Sequence, residues 1–284
     1  MASLIIRLAI AVVFVLFGLF NYFTNVDENP ITGESQRIAL TPQQEIVIGQ
    51  EGRQQVISEF GGLYSSPPLQ NYIETVGDRV VAQSEAARSP YQFEFHILDD
   101  PETVNAFALP GGPIFITTAM LDRLDTEAQL AGVLGHEVAH VVARHGAEQL
   151  AKQQLGGILV GAIQIATTDG ENPGSGRQAE LIARAVNTLI NLKYGREDEL
   201  ESDRLGFQFM TEAGYNPEGI VELMQILESE SEGARPPEFL STHPNPGNRI
   251  DRLEEMVEET YPNGIPPQLE EGEDEFESTV DPQL

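Results

Sequence analysis

The chain has 284 residues, with 45 Asp and Glu against 16 Lys and Arg and a formal net charge of -29, which excludes the basic face that phosphate neutralisation requires and argues against attraction to anionic lipid. Lys152 and Lys193 are the only lysines, and carboxylate excess with so little lysine suits a surface kept hydrated in strong salt, where self-repulsion is screened. The absence of cysteine excludes disulfides, thiolate ligands and a cysteine nucleophile, while 40% hydrophobic residues suffice for a packed core.

Leu4 to Phe23 is an apolar stretch broken only by Arg7, Gly18 and Asn21. About 20 such residues can span a bilayer. The run ends in Gly18-Leu-Phe-Asn-Tyr-Phe23, without the small-x-small pattern of a cleaved signal peptide. Residues 1–25 therefore read as an uncleaved membrane anchor in preference to a signal peptide, and Arg7 ahead of the span places everything after it on the extracytoplasmic side. Residues 26–40 read as a linker with a turn at Asn29-Pro-Ile-Thr-Gly33.

Thr41-Pro-Gln-Gln44 predicts a capped helix start running towards Phe60. Ser66-Pro-Pro-Leu69 opens another helix, whose Leu69, Tyr72, Ile73, Val76 and Val80 fall at helical spacing. Phe93, Phe95 and Ile97 alternate with Glu94 and His96 as in a half-buried strand, and Pro113 to Thr118, after the Pro110-Gly-Gly112 turn, predicts a second. Thr126-Glu-Ala-Gln129 is a capping box opening a long helix through Leu150. Leu155 to Ala166 reads as a core or membrane-grazing helix, and Asp169 to Arg177 as a flexible loop. A second long helical pattern covers Ala179 to Ala213, with Gly214 as its stop and Asn216-Pro217 as the next start. Glu228 to Pro237 reads as a polar loop and Pro246 to Glu259 as the last helix of a domain spanning 41–263. Residues 264–284, acidic and without a basic residue, are expected to form a disordered tail.

The chemistry centres on His136-Glu-Val-Ala-His140, inside the helix that begins after Thr126. Residues four apart on a helix differ by about 40° around its axis, so both imidazoles project from one face and can bind a single metal. Zinc accepts neutral imidazole, and Glu137 is placed to reach a bound water rather than the metal. Two histidines and a glutamate among Ala, Val and Leu would be costly to bury without such partners. The metzincin pattern is excluded, because Ala143 and Gly146 stand where Gly and His would be needed. His145 points about 140° away from His140 on a continuing helix and reads as a hydrogen-bonded structural histidine. A further ligand is sought among the carboxylates of Glu197-Asp-Glu-Leu-Glu-Ser-Asp203, where Glu199 and Asp203 share one helix face while Glu197 and Glu201 lie off it.

These motifs, with Arg144-His145, Glu199-Leu-Glu-Ser-Asp203-Arg-Leu-Gly206, Ser241-Thr-His-Pro244, Arg249-Ile250 and Asn105-Ala-Phe-Ala-Leu-Pro-Gly-Gly112 in that company, resemble metallopeptidase family 48 over roughly residues 40 to 260. That family includes HtpX, the mitochondrial Oma peptidase and the prenyl-protein proteases. The resemblance implies an α+β, mainly helical, zincin-like domain with a small sheet and the histidine motif on its active-site helix. It implies one zinc per chain held by His136, His140 and Glu199, with Glu137 as general base and Asp203 supporting a ligand. Ser202 departs from the usual alanine between the glutamate and the aspartate. A single convincing span points to the single-anchor, envelope-exposed branch.

The expected reaction is peptide-bond hydrolysis, with Glu137 taking a proton from zinc-activated water and returning it to the leaving amine. The strand Pro113 to Thr118 is a candidate edge for an extended substrate. His243 and Arg249 are candidates to stabilise the oxyanion, or His243 to occupy the open metal position and hold the enzyme latent. Family analogy suggests quality control of unfolded or misassembled envelope proteins, with no nucleic-acid partner. The alternative is a zinc-bearing chaperone or adaptor, although a purely structural zinc has no use for Glu137.

Overall fold

The computed structural model describes residues 12–13, 16, 26–38, 40–153, 177–231, 237–244 and 247–284. The expected anchor lies outside these apart from Val12, Val13 and Leu16, which are helical and exposed, and no helix among the described residues is long and apolar enough to cross a membrane. The apolar run 155–166 and nearly all of the loop 169–177 also lie outside the described residues.

The elements in chain order begin with the strands β1 (Asp27–Glu28) and β2 (Ser35–Gln36), followed by the helices α1 (Pro42–Glu59) and α2 (Pro67–Ala82). Three strands come next: β3 (Glu94–Leu98), β4 (Ala106–Ala108) and β5 (Pro113–Thr117). Helices α3 (Thr118–Leu121), α4 (Glu127–Val142) and α5 (145–153) follow, then α6 (Arg177–Ile190) and α7 (Arg196–Glu212). The chain closes with α8 (Glu218–Ser231), α9 (Glu238–Thr242), α10 (Arg249–Thr260) and α11 (Glu273–Thr279). The capping signals act where the sequence places them: Thr41, Ser66 and Thr126 each accept a backbone N–H of their own first turn.

The main sheet has the order β3-β5-β4, with β3 parallel and β4 antiparallel to β5. Its alternating side chains feed two cores. Ile114, Ile116, Phe95 and Ile97 join α2, α4, α7 and α8 in the larger one, while Phe115, Phe107 and Leu98 join α1 and α6 in the other. Burial on both faces accounts for the unbroken apolar run of β5.

Several expectations are corrected. β5 is the central strand, paired along both sides, and therefore offers no edge to a substrate. The helix expected through Leu150 breaks at 143–144, where Arg144 adopts φ 59°, and restarts as α5. The pattern 179–213 divides into α6 and α7 around residues 191–195. The stretch expected as a linker carries the β1–β2 hairpin, whose buried Asn29 and Gln36 donate to the carbonyls of Val142 and Ala143 at the end of α4.

Residues 264–284 pack against the domain instead of forming a disordered tail. The backbone of Glu270 and Glu271 bonds to Gly214, Asn216 and Ala128, and Phe276 and Val280 are each only 1% exposed. Composition alone hides this, because two apolar side chains and a few main-chain bonds suffice to dock a short segment.

Candidate metal centre

The centre is assembled where α4 crosses α7, the most extensive helix contact among the described residues. One residue before His136, Gly135 meets Gly206 of α7 so closely that the two backbones touch. The approach brings the first turns of α7, with Glu199 and Asp203, under the histidine face of α4.

His136 and His140 face one another with their Nε2 atoms 3.1 Å apart and their rings edge to face. Glu199 Oε2 lies 3.6 Å from His136 Nε2, and Glu199 Oε1 lies 3.5 Å from His140 Nε2. His243, after α9, places Nδ1 3.1 Å from Glu199 Oε1 and 3.3 Å from His136 Nε2. One ligand atom from each of these four residues falls within 4.8 Å of the others, and all four residues are buried.

The donor set fits a metal cation. Three imidazole nitrogens and a carboxylate, donor types that zinc accepts, converge in a space that excludes solvent. Glu137 is wholly buried, and neither of its oxygens accepts a hydrogen bond among the described residues. Its nearest basic neighbour is His243 Nε2 at 3.6 Å. Burial pushes the Glu137 carboxyl above its ordinary value, only partly opposed by His243 and His136.

The remaining charges are arranged around this cluster. Asp203 Oδ1 lies 3.1 Å from His136 Nδ1, and Arg249 Nε and Nη2 donate to both Asp203 oxygens at 2.6 and 2.5 Å. Arg249 Nη1 is 2.8 Å from Glu199 Oε2. Burial raises the Asp203 carboxyl, but the Arg249 guanidinium and His136 overcome this and hold it below the ordinary value. Glu199 is likewise held well below the usual range, burial notwithstanding, by His243, His136 and His140. Burial lowers His136, yet hydrogen bonds to Asp203 and Glu199 push it up to about 9, whereas burial leaves His140 well below its ordinary value.

The structure thus brings together His136, Glu137, His140, Glu199, Asp203, His243 and Arg249. The Arg249 guanidinium is engaged with Asp203 and Glu199. This geometry makes it a brace for the two carboxylates. Tyr194, which the sequence reading missed inside its long helix, stacks on His140 with ring centroids 3.9 Å apart. The neighbouring Gly195, a helix breaker, was the available signal. Phe239 stacks on His243 with a 17° interplanar angle, so the ring is clamped from α9.

Comparison with known proteins agrees with this architecture. The family model for Peptidase family M48 matches residues 67–257. The beta-barrel assembly-enhancing protease of Yersinia pestis is 31% identical over 245 residues, 82% of this chain and 48% of that protein. The mitochondrial metalloendopeptidase OMA1 of Schizosaccharomyces pombe is 32% identical over 241 residues, 84% of this chain and 68% of the relative. The mitochondrial metalloendopeptidase OMA1 of Bos taurus is 29% identical over 254 residues, 85% and 48% of the two chains. The chain spans about half the length of most of these relatives.

Proposed function

The chain belongs to peptidase family M48, and on that premise we propose that it is a zinc metalloendopeptidase in which His136, His140 and Glu199 hold the metal and Glu137 is the general base. The observation that carries this reading is the convergence of those three side chains beside a buried carboxylate with no hydrogen-bond partner. A zinc ion held there would act as a Lewis acid, polarising the scissile carbonyl and lowering the pKa of water.

Glu137 takes the proton from the attacking water and delivers it to the leaving amine. Asp203 accepts a hydrogen bond from His136 Nδ1 and fixes the tautomer that leaves Nε2 free for the metal. Arg249 holds Asp203 in place and neutralises the carboxylates. His243 would offer a fourth ligand to a metal held in this arrangement, and its withdrawal would open a place for a substrate carbonyl.

The candidate edge for an extended substrate is β4, which is buried in this arrangement. Asn105 and Leu109 bond to β5 through Thr117 and Pro113, so the intervening Ala106 and Ala108 turn their N–H and C=O groups to the other side. On that side Phe239 N–H already donates to the Val104 carbonyl. Displacing α9 would break this bond and move His243 with it, and main-chain pairing along β4 would give low sequence preference.

The apolar segment 1–25 supports a single-pass anchor with the catalytic domain on the extracytoplasmic side. Relatives named for β-barrel assembly and for mitochondria support unfolded or misassembled membrane and envelope proteins as substrates. The test is substrate trapping with Glu137→Gln. The variant should bind zinc as the parent does, lose casein cleavage by about 10²- to 10⁴-fold, and retain misfolded envelope proteins. Full biological function in that variant would favour a chaperone or adaptor role instead.

A further inference from the structure

Each of the two helix histidines has a second ring nitrogen to satisfy. His136 Nδ1 meets Asp203 directly, whereas His140 Nδ1 lies 3.0 Å from His145 Nδ1, and His145 Nε2 lies 3.1 Å from Glu201 Oε2. His145 and Glu201 are residues that helical geometry alone sends away from the metal face.

The break after α4 is what returns them. Arg144, the only non-glycine residue with positive φ among the described residues, reverses the chain and turns His145 back over His140. Such a conformation is unfavourable for a residue with a Cβ and needs external support. Arg144 receives it from α1 and its approach: Nε donates to Glu45 Oε1 at 2.9 Å and Nη2 to the Leu40 carbonyl at 2.8 Å. Tyr91 Oη–H donates to the other Glu45 oxygen, and Asn29 and Gln36 hold the carbonyls of Val142 and Ala143.

The hydrogen-bond chemistry then fixes the direction of every proton. An ionised Glu201 only accepts, so His145 Nε2 carries the hydrogen and, in the neutral ring, Nδ1 is the acceptor. His140 Nδ1–H donates to it, which leaves the His140 Nε2 lone pair directed into the cluster. Ser202 Oγ lies 3.3 Å from the same nitrogen.

We propose that His145 and Glu201 are positioning residues that form a carboxylate–imidazole relay to His140, the counterpart of the direct Asp203 contact to His136. The inference rests on the zinc reading of the site. Helix α7 then serves the metal at three alternate positions, with Glu199 as a ligand and Glu201 and Asp203 each setting one histidine.

The test compares the full chain with its Glu201→Ala, Glu201→Gln and His145→Phe variants. Zinc affinity is read by chelator competition, the cobalt(II)-substituted proteins by their visible absorption bands, and the folded state by thermal unfolding without metal. Glu201→Ala and His145→Phe should lower zinc affinity by about 10- to 100-fold and shift the cobalt bands. Glu201→Gln, whose amide oxygen still accepts from His145, should restore bands close to those of the parent. If His145→Phe does not fold, Glu201→Ala decides, because its side chain lies at the 11% exposed outer end of the relay. Zinc affinity within twofold of the parent and unchanged cobalt bands in folded Glu201→Ala would overturn the relay alone. A parent protein that binds no zinc would overturn both the relay and the metallopeptidase reading.

Discussion

Gly135 of α4 and Gly206 of α7 cross with no room for a side chain: a Cβ on Gly206 would lie 2.9 Å from the His136 amide nitrogen and 3.1 Å from the Gly135 carbonyl carbon. Both obstacles are backbone, so neither can rotate away. This contact sets the height of Glu199 and Asp203 relative to the two histidines. Gly206→Ala should therefore lower stability by about 1–3 kcal/mol, as overpacking does, and weaken zinc binding together with it. A melting temperature and zinc affinity equal to those of the parent would show that the crossing does not set the site.

His243 lies in the cluster, stacked on Phe239 and 3.6 Å from Glu137. His243→Ala should raise the rate of casein cleavage severalfold while zinc remains bound by the other three ligands. A fall in kcat with KM unchanged would instead assign His243 to the transition state, and an unaltered rate would reduce it to a turn residue.

Arg249 is 1% exposed and compensates two buried carboxylates. Removing one member of such a group leaves an uncompensated charge, so Arg249→Met should destabilise the metal-free protein by about 3–5 kcal/mol near neutral pH. The folded-state value of Asp203 lies below its ordinary 3.8. Its contribution is thus fully present above about pH 4 and is lost as the pH falls through the depressed value. Denaturant titrations at pH 7 and pH 3 check this: the difference between parent and variant should shrink on acidification, and a constant difference would contradict the pairing.

The net charge of -29 cannot be assigned to the C-terminal segment, whose seven acidic residues leave -22 on the rest of the chain. Even those seven belong to a docked surface, since the segment is packed. Stability and peptidase activity should rise from dilute buffer towards molar salt, where the Debye length shrinks to about 3 Å. Thermal unfolding and casein assays in a potassium chloride series measure it, and an optimum in dilute buffer would refute the expectation.

The sequence by itself determined what is local. Helix starts follow from Thr41, Ser66 and Thr126, and the half-buried strand at Glu94–Leu98 follows from alternation. The shared face of His136 and His140 follows from their spacing. Helical spacing put Glu199 and Asp203 on one face, and family resemblance singled them out as ligand and support. Only the tertiary structure decided how those pieces meet. The Gly135–Gly206 crossing, the central position of β5, the Arg249 brace and the docking of Phe276 all depend on contacts between residues far apart in the chain. The clearest case is His145, which an unbroken helix would point away from His140. Glu45, lying 99 residues before Arg144, helps to hold the reversed turn that brings it back. No periodicity within α4 encodes that turn, because the interactions that stabilise it belong to other elements.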